Sequence, residues 1–188
     1  MNLIDFFNVS QEKTDKYDLG YIDAFYDSFF HPRVETAKLI LEIGVQSGGS
    51  IKLWRNFFVN STVYGLDVDY CDAVDQCDRI VHMVCDAYSF DTVNQFQRES
   101  FDIVIDDGPH TFDSMVFFIL YYLDIVKPGG IMVLEDIIDI SWTQMLVDII
   151  KHKSPDSKIH VYNMKGKQKT QHLIDRWKNG LDVIVIEK

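Results

Sequence analysis

The sequence predicts a doubly wound α/β fold, and three observations carry the prediction. Leu39–Ser50, LILEIGVQSGGS, runs from a short apolar stretch through an acid into a glycine-rich turn. Ile51-Lys52-Leu53-Trp54 then follows at helical spacing, so the unit reads as strand, tight turn, helix. Later apolar runs repeat the device: TVYGLD (62–67), FDIVID (101–106) and IMVLED (131–136) all close on acids. Open sheets of this kind bind ligands beyond the carboxyl ends of their strands, which is where these acids stand.

The opening turn departs from a dinucleotide fingerprint. That pattern would need glycine at 44, 46 and 49, and position 46 is Gln. The middle glycine lets a pyrophosphate approach the backbone, so Gln46 argues against a phosphate-bearing ligand. Glu42 also stands where an anion would be repelled. A ligand with positive charge and no phosphate suits the turn, and S-adenosylmethionine, with its ammonium and sulfonium, fits. The plainer alternative is a strand–helix turn that binds nothing.

Residues 1–35 are expected to form a helical cover. Within them Tyr17–Phe30 is aromatic-rich with helical spacing at 22, 25, 26 and 29, and Pro32 ends it. Asp15, Lys16 and Tyr17 are candidates for a substrate-contacting segment over the site mouth. After the turn a helix runs to about Asn60. Thr62–Asp67 is the second strand, and Asp67, 23 residues beyond Gly44, is near the spacing for an acid that meets a ribose diol. Asp72–Arg79 reads as a short helix and Ile80–Val84 as the third strand. Asp86, just past it, either accepts from an adenine amino group or caps a helix. Phe90–Arg98 is expected to be helical, and Phe101–Asp106 is the fourth strand. Thr111–Val126 reads as a long apolar helix and Lys127-Pro128-Gly129-Gly130 as a turn. Ile131–Leu134 is the fifth strand. Ser141–Lys151 is a helix with Ser141 as its cap. Ile159–Asn163 and Leu181–Glu187 are two last strands, joined by a basic loop or helix over 164–180. No repeat or linker interrupts the chain, so residues 1–188 read as one domain.

Asp107 and His110 follow strand four, and Glu135 and Asp136 follow strand five. In the usual order 3-2-1-4-5 those strands are neighbours, so three carboxylates and an imidazole converge beside the turn. Oxygen ligands with room for water suit Mg²⁺ or Mn²⁺ better than Zn²⁺. Packed acids without a cation would raise one another's pKa, and a divalent ion resolves the conflict.

Composition narrows the partners. The formal net charge of −11 disfavours a nucleic acid, whose phosphates call for clustered Lys and Arg. Cys71, Cys77 and Cys85 show no metal-binding spacing and read as reduced thiols of a cytoplasmic protein. The N-terminus lacks the pattern of a signal peptide, and no apolar run reaches membrane-spanning length.

The segments LEIGVQSGGS, VYGLD, CDA, FDIVIDDGPH and VKPGGIMVLED resemble the class I S-adenosylmethionine-dependent methyltransferases. They are most similar to the metal-dependent sugar O-methyltransferases of the macrocin and mycinamicin type, also described as cephalosporin-hydroxylase-like. The resemblance covers about residues 14–188, from TDKY to DVIVIEK. It implies a seven-stranded, mostly parallel sheet of order 3-2-1-4-5-7-6, antiparallel at its last strands, with helices on both faces. It implies a methyl donor held by Glu42, Gly44, Gln46, Ser47, Asp67, Asp86 and Asp106. It implies Mg²⁺ on Asp107, Glu135 and Asp136, with His110 as base, and a small-molecule or glycan acceptor. Homo-oligomerisation stays open. Two alternatives remain: a catechol- or phenol-directed O-methyltransferase, and a non-catalytic module that binds a nucleoside-like ligand.

Overall fold

The computed structural model describes residues 1–188. Chain order begins with three short helices. α1 (Leu3–Val9) is capped by Asn2, which accepts from the Asp5 N–H at 2.7 Å, and α2 (Asp15–Asp18) by Thr14. A π-helical turn, Ile22–Tyr26, leads into α3 (Asp27–Phe30) and a 3-10 turn, His31–Arg33. The expected continuous helix is thus wound in three pitches. The wider turn seats Tyr21 and Tyr26 toward the sheet.

The strands are β1 (Leu39–Ile43), β2 (Thr62–Asp67), β3 (Ile80–Val84), β4 (Phe101–Asp106), β5 (Val126–Ile137), β6 (Lys158–Asn163) and β7 (Asp182–Glu187). Their order is β3-β2-β1-β4-β5-β7-β6. Pairing is parallel from β3 to β5, and β7 joins antiparallel between β5 and β6. In register, Glu42 lies opposite Gly65 and Ile43 opposite Asp106, so the acid-bearing ends of β1, β2 and β4 line up.

The sheet is covered on both faces because inner strands alternate two apolar sets. Ile40, Ile103 and Ile105 pack with Tyr26, Phe30 and Trp54 on one face. Leu41, Val104 and Met132 pack with Phe118, Tyr122 and Leu146 on the other. The crossover helices are α4 (Gly49–Phe57), α5 (Asp72–Asp75), α6 (Phe90–Val93), α7 (Phe112–Phe117) and α8 (Trp142–Lys153), with α9 (Gln171–Arg176) between β6 and β7.

Several boundaries differ from expectation. α6 is a single turn, because Phe96 turns onto Tyr64 and Phe101 instead of extending the helix. The long helix after β4 continues from α7 as a π turn, Phe118–Tyr122, and stops before Val126. The Lys127–Gly130 turn lies inside β5, as an excursion between residues pairing with Phe101 and with Ile103. Ser141 does not cap α8; its hydroxyl bonds the Asp139 carboxylate at 2.7 Å.

Candidate active site

The turn after β1 is built for close approach. Gly44 has φ +93°, and a Cβ there would collide with the Asp107 carbonyl. Gly49, at the start of α4, sits so close to the Lys13 carbonyl that a side chain would displace the N-terminal segment. Asp67, at the end of β2, ties the turn down. Its Oδ2 accepts from the N–H groups of Val45 (2.8 Å) and Gln46 (3.0 Å), and its Oδ1 from Asp69 N–H (3.1 Å). Partial burial raises the Asp67 pKa, but the N–H donors of Gln46, Asp69, Val45 and Val68 outweigh it and hold the carboxyl below its ordinary value. The carboxylate therefore stays charged, and beyond these three N–H bonds it has an acceptor position left for a hydroxyl donor.

Two adjoining cavities open along this turn. One, of about 610 Å³, lies between Gly44–Ser47 and the segment holding Lys13, Asp15 and Tyr17. The other, of about 780 Å³, runs from Gly44 and Gln46 past Asp67 and Asp86 to Asp107 and His110. Gly44, Gln46, Asp15 and Asp107 line both.

Beneath the cavities lies an acid cluster organised by one buried ammonium. Lys16 is 1% exposed, and its Nζ faces Glu135 Oε2 at 2.5 Å, Asp107 Oδ2 at 2.7 Å and Glu42 Oε1 at 3.1 Å. Burial works against the charged form. The surrounding charges of Asp107, Glu135 and Glu42 outweigh it and hold the lysine pKa well above its ordinary value. Glu42 Oε2 accepts from the Trp54 indole at 2.7 Å. Tyr26 donates to Glu135 and Tyr21 to Asp136. Burial pushes the carboxyls of Glu42, Glu135 and Asp136 upward, and the charge of Asp107 adds to the rise in each. Three acids thus share a single fixed cation, with Asp136 beside them.

Toward the second cavity the ligand atoms of Asp107, His110 and Asp136 all lie within 4.8 Å of one another. His110 Nε2 stands 3.6 Å from Asp107 Oδ1 and 3.9 Å from Asp136 Oδ2. His110 (φ 53°), Asp136 (φ 52°) and Gln46 (φ 47°) all hold left-handed backbone. That conformation disfavours side-chain-bearing residues, and its concentration here marks a site whose geometry is held by its surroundings.

The expected residues are only partly brought together. Gly44, Gln46, Ser47, Asp67 and Asp86 line the cavities, as do Asp107, His110, Asp136, Asp15 and Tyr17. Four take other places. Glu42 is fully buried, and the ammonium it faces belongs to Lys16. Lys16, expected at the substrate mouth, turns inward because three acids converge on it. Asp106 is buried and accepts from the Tyr88 hydroxyl, while Tyr88 itself lines the second cavity. Burial raises the Asp106 pKa to about 7. Glu135 engages both oxygens, with Lys16 and Tyr26, and reaches an ion only by exchanging one of those partners. Asp86 does not cap α6, a role held by Ser89; its Oδ1 accepts from Tyr88 N–H at 2.9 Å. Sequence reasoning missed Tyr21, Tyr26 and Tyr88. The first two were legible only as apolar members of a helical stripe.

A parallel sheet ending in an antiparallel pair, with a glycine turn after β1 and a carboxylate at the end of β2, defines a doubly wound α/β domain whose ligand edge lies at the carboxyl ends of its strands. The chain belongs to the family described as "Methyltransferase domain", whose model matches residues 41–137. It is 32% identical over 133 residues to mycinamicin VI 2''-O-methyltransferase of Micromonospora griseorubida, covering 66% of this chain and 33% of that protein. It is 31% identical over 134 residues to demethylmacrocin O-methyltransferase of Streptomyces fradiae, with the same coverage of 66% and 33%. The chain therefore spans about a third of the length of these curated relatives. Among solved structures it is similar to the MycE methyltransferase of the mycinamycin biosynthetic pathway in complex with Mg, SAH and mycinamycin VI. The TM-score there is 0.67 at 25% identity, over 94% of this chain and 54% of that one.

Proposed function

We propose that this chain is a Mg²⁺-dependent S-adenosylmethionine O-methyltransferase acting on a sugar hydroxyl of a glycan or glycoside. The observation that carries the reading is the meeting of Asp107, His110 and Asp136 at the edge of the cavity that begins at the Gly44–Ser47 turn. The names of the relatives support the acceptor class: all are O-methyltransferases, and two others are named for 2'- and 3'-O-methylation of 8-demethyl-8-rhamnosyl tetracenomycin-C compounds.

The residues fit both groups. Two carboxylates within one ion's reach, with the His110 imidazole beside them and further acids behind that only one lysine neutralises, make a site suited to a hard divalent cation. Asp107 and Asp136 would hold the ion, with Glu135 behind them. Gly44–Ser47, Asp67 and Asp86 would hold the donor. When bound, the donor supplies an electrophilic methyl on sulfonium and the ion a positive charge that stabilises a developing alkoxide.

The chain's own residues do the rest. Asp67, charged and fixed by backbone N–H groups, accepts from the ribose hydroxyls. His110 takes the acceptor proton at Nε2, a step worth typically ~10²–10⁴-fold. The strained backbone at His110 and Asp136 aims both side chains before substrate arrives, so less ordering is left to binding. Lys16, Tyr21 and Tyr26 fix the acids from beneath. We also propose that residues 1–188 act as one methyltransferase domain with residues 1–35 as cover. The three free cysteines support a reducing, cytoplasmic setting. No helix is long and apolar enough to cross a membrane.

The test is methyl transfer from labelled S-adenosylmethionine to methyl α-L-rhamnopyranoside and to catechol, with Mg²⁺ and with excess chelator. Methylation of the glycoside that chelator abolishes supports the reading. Transfer to catechol alone would reassign the acceptor class. Donor binding without product on any acceptor would point to a binding module.

A further inference from the structure

The basic connection between β6 and β7 does not stand free in solvent. It is clasped to the N-terminal cover: Lys169 N–H donates to the Asp18 carbonyl at 2.7 Å, and Lys169 Nζ pairs with Asp23. The same Nζ lies 3.4 Å from the centre of the Tyr17 ring. Gly20 meets the Lys167 carbonyl so closely that a side chain there would not fit. This clasp brings α9 and its following residue to the second cavity, where Leu173, Arg176 and Trp177 line the same space as Asp107 and His110.

We infer that Trp177 and Arg176 are the acceptor-recognition residues of this site. The inference rests on the sugar O-methyltransferase reading and adds the part of the chain that selects the acceptor. The cavity wall carries six acids, Asp15, Asp67, Asp69, Asp86, Asp107 and Asp136, beside apolar side chains such as Leu19, Leu66, Val68 and Tyr88. The acids can accept hydroxyl protons, and the apolar side chains can meet the C–H face of a sugar ring. Trp177 is the one tryptophan on this wall. Its ring is half-buried against the core, and the Arg176 guanidinium carbon lies 4.9 Å from its centre. Arg176 is the one Lys or Arg side chain on this cavity and forms no ion pair, so its N–H groups are free to donate to ring oxygens or hydroxyls. A pyranoside laid on Trp177 and held by Arg176 would face a hydroxyl toward His110. Neither residue belongs to the Gly44–Ser47 turn, so the two should act on acceptor binding and leave donor binding unchanged.

The experiment compares Trp177→Ala, Trp177→Phe and Arg176→Ala with the unaltered chain. It reads kcat and KM for methyl α-L-rhamnopyranoside, and S-adenosylhomocysteine binding by calorimetry. For Trp177→Ala the expected result is an acceptor KM raised roughly tenfold or more, the scale of losing one aromatic anchor. Donor-product affinity should be unchanged, and Trp177→Phe should recover most of the loss. Arg176→Ala should also raise KM, by a smaller factor. An unchanged acceptor KM in Trp177→Ala overturns the inference, as does donor-product affinity that falls in step with KM. If the unaltered chain itself methylates no glycoside, the sugar reading fails and takes the inference with it. That outcome is told apart by the blank control.

Discussion

Lys16→Met removes the only ammonium among Glu42, Asp107 and Glu135 while keeping a side chain of similar length and volume. The lysine is 1% exposed and faces three carboxylates at 2.5 to 3.1 Å. Breaking a buried ion pair by deleting one partner costs about 3–5 kcal/mol, because the remaining charge is left without compensation. With a urea slope of about 2 kcal/mol per molar, the unfolding midpoint should fall by roughly 2 M at pH 8. The deficit should depend on pH in a set direction. In the variant the buried carboxyls titrate higher folded than unfolded, so the folded state binds more protons between those values. Stability is then lost as pH rises and regained as pH falls toward 5. Urea titrations at pH 5 and pH 8, followed by circular dichroism, measure both quantities. A deficit under about 1 kcal/mol, or one equal at the two pH values, would refute the view that Lys16 neutralises this cluster.

Three other perturbations separate the donor, base and backbone roles. Asp67→Ala should weaken S-adenosylhomocysteine binding by roughly 10–100-fold in calorimetry, the scale of a lost charge-assisted hydrogen bond, because the turn also loses its anchor at Val45 and Gln46. His110→Ala should lower kcat by about 10²–10⁴-fold with donor-product affinity intact; equal losses in both would make His110 structural. Gly44→Ala should cost about 1–3 kcal/mol from its left-handed backbone alone, and more from the collision with the Asp107 carbonyl, read as a lower thermal midpoint.

The strands were legible because each inner strand is a short apolar run closed by an acid or a turn. β2, β3 and β4 fall at the expected residues. Helix lengths were less legible, since π turns at Ile22–Tyr26 and Phe118–Tyr122 keep an apolar pattern close to the α period. At the site, the acids at strand ends could be placed by topology: Asp107, His110 and Asp136 lie within one ion's reach, while Glu135, expected with them, turns to Lys16 and Tyr26. What topology does not reveal is which side chain satisfies which charge. Lys16 stands 91 residues from Asp107 and 119 from Glu135 in sequence, so its inward turn has no local signature. The same holds for Trp177, a lone aromatic in a basic stretch that only the clasp through Lys169 brings to the cavity.

A crystal of the chain grown with S-adenosylhomocysteine and Mn²⁺, measured at the manganese absorption edge, tests the account most directly. An anomalous peak bonded to the carboxylates of Asp107 and Asp136, beside the donor product on the Gly44–Ser47 turn, is the predicted result. Donor product on the turn with no manganese between those carboxylates would contradict it.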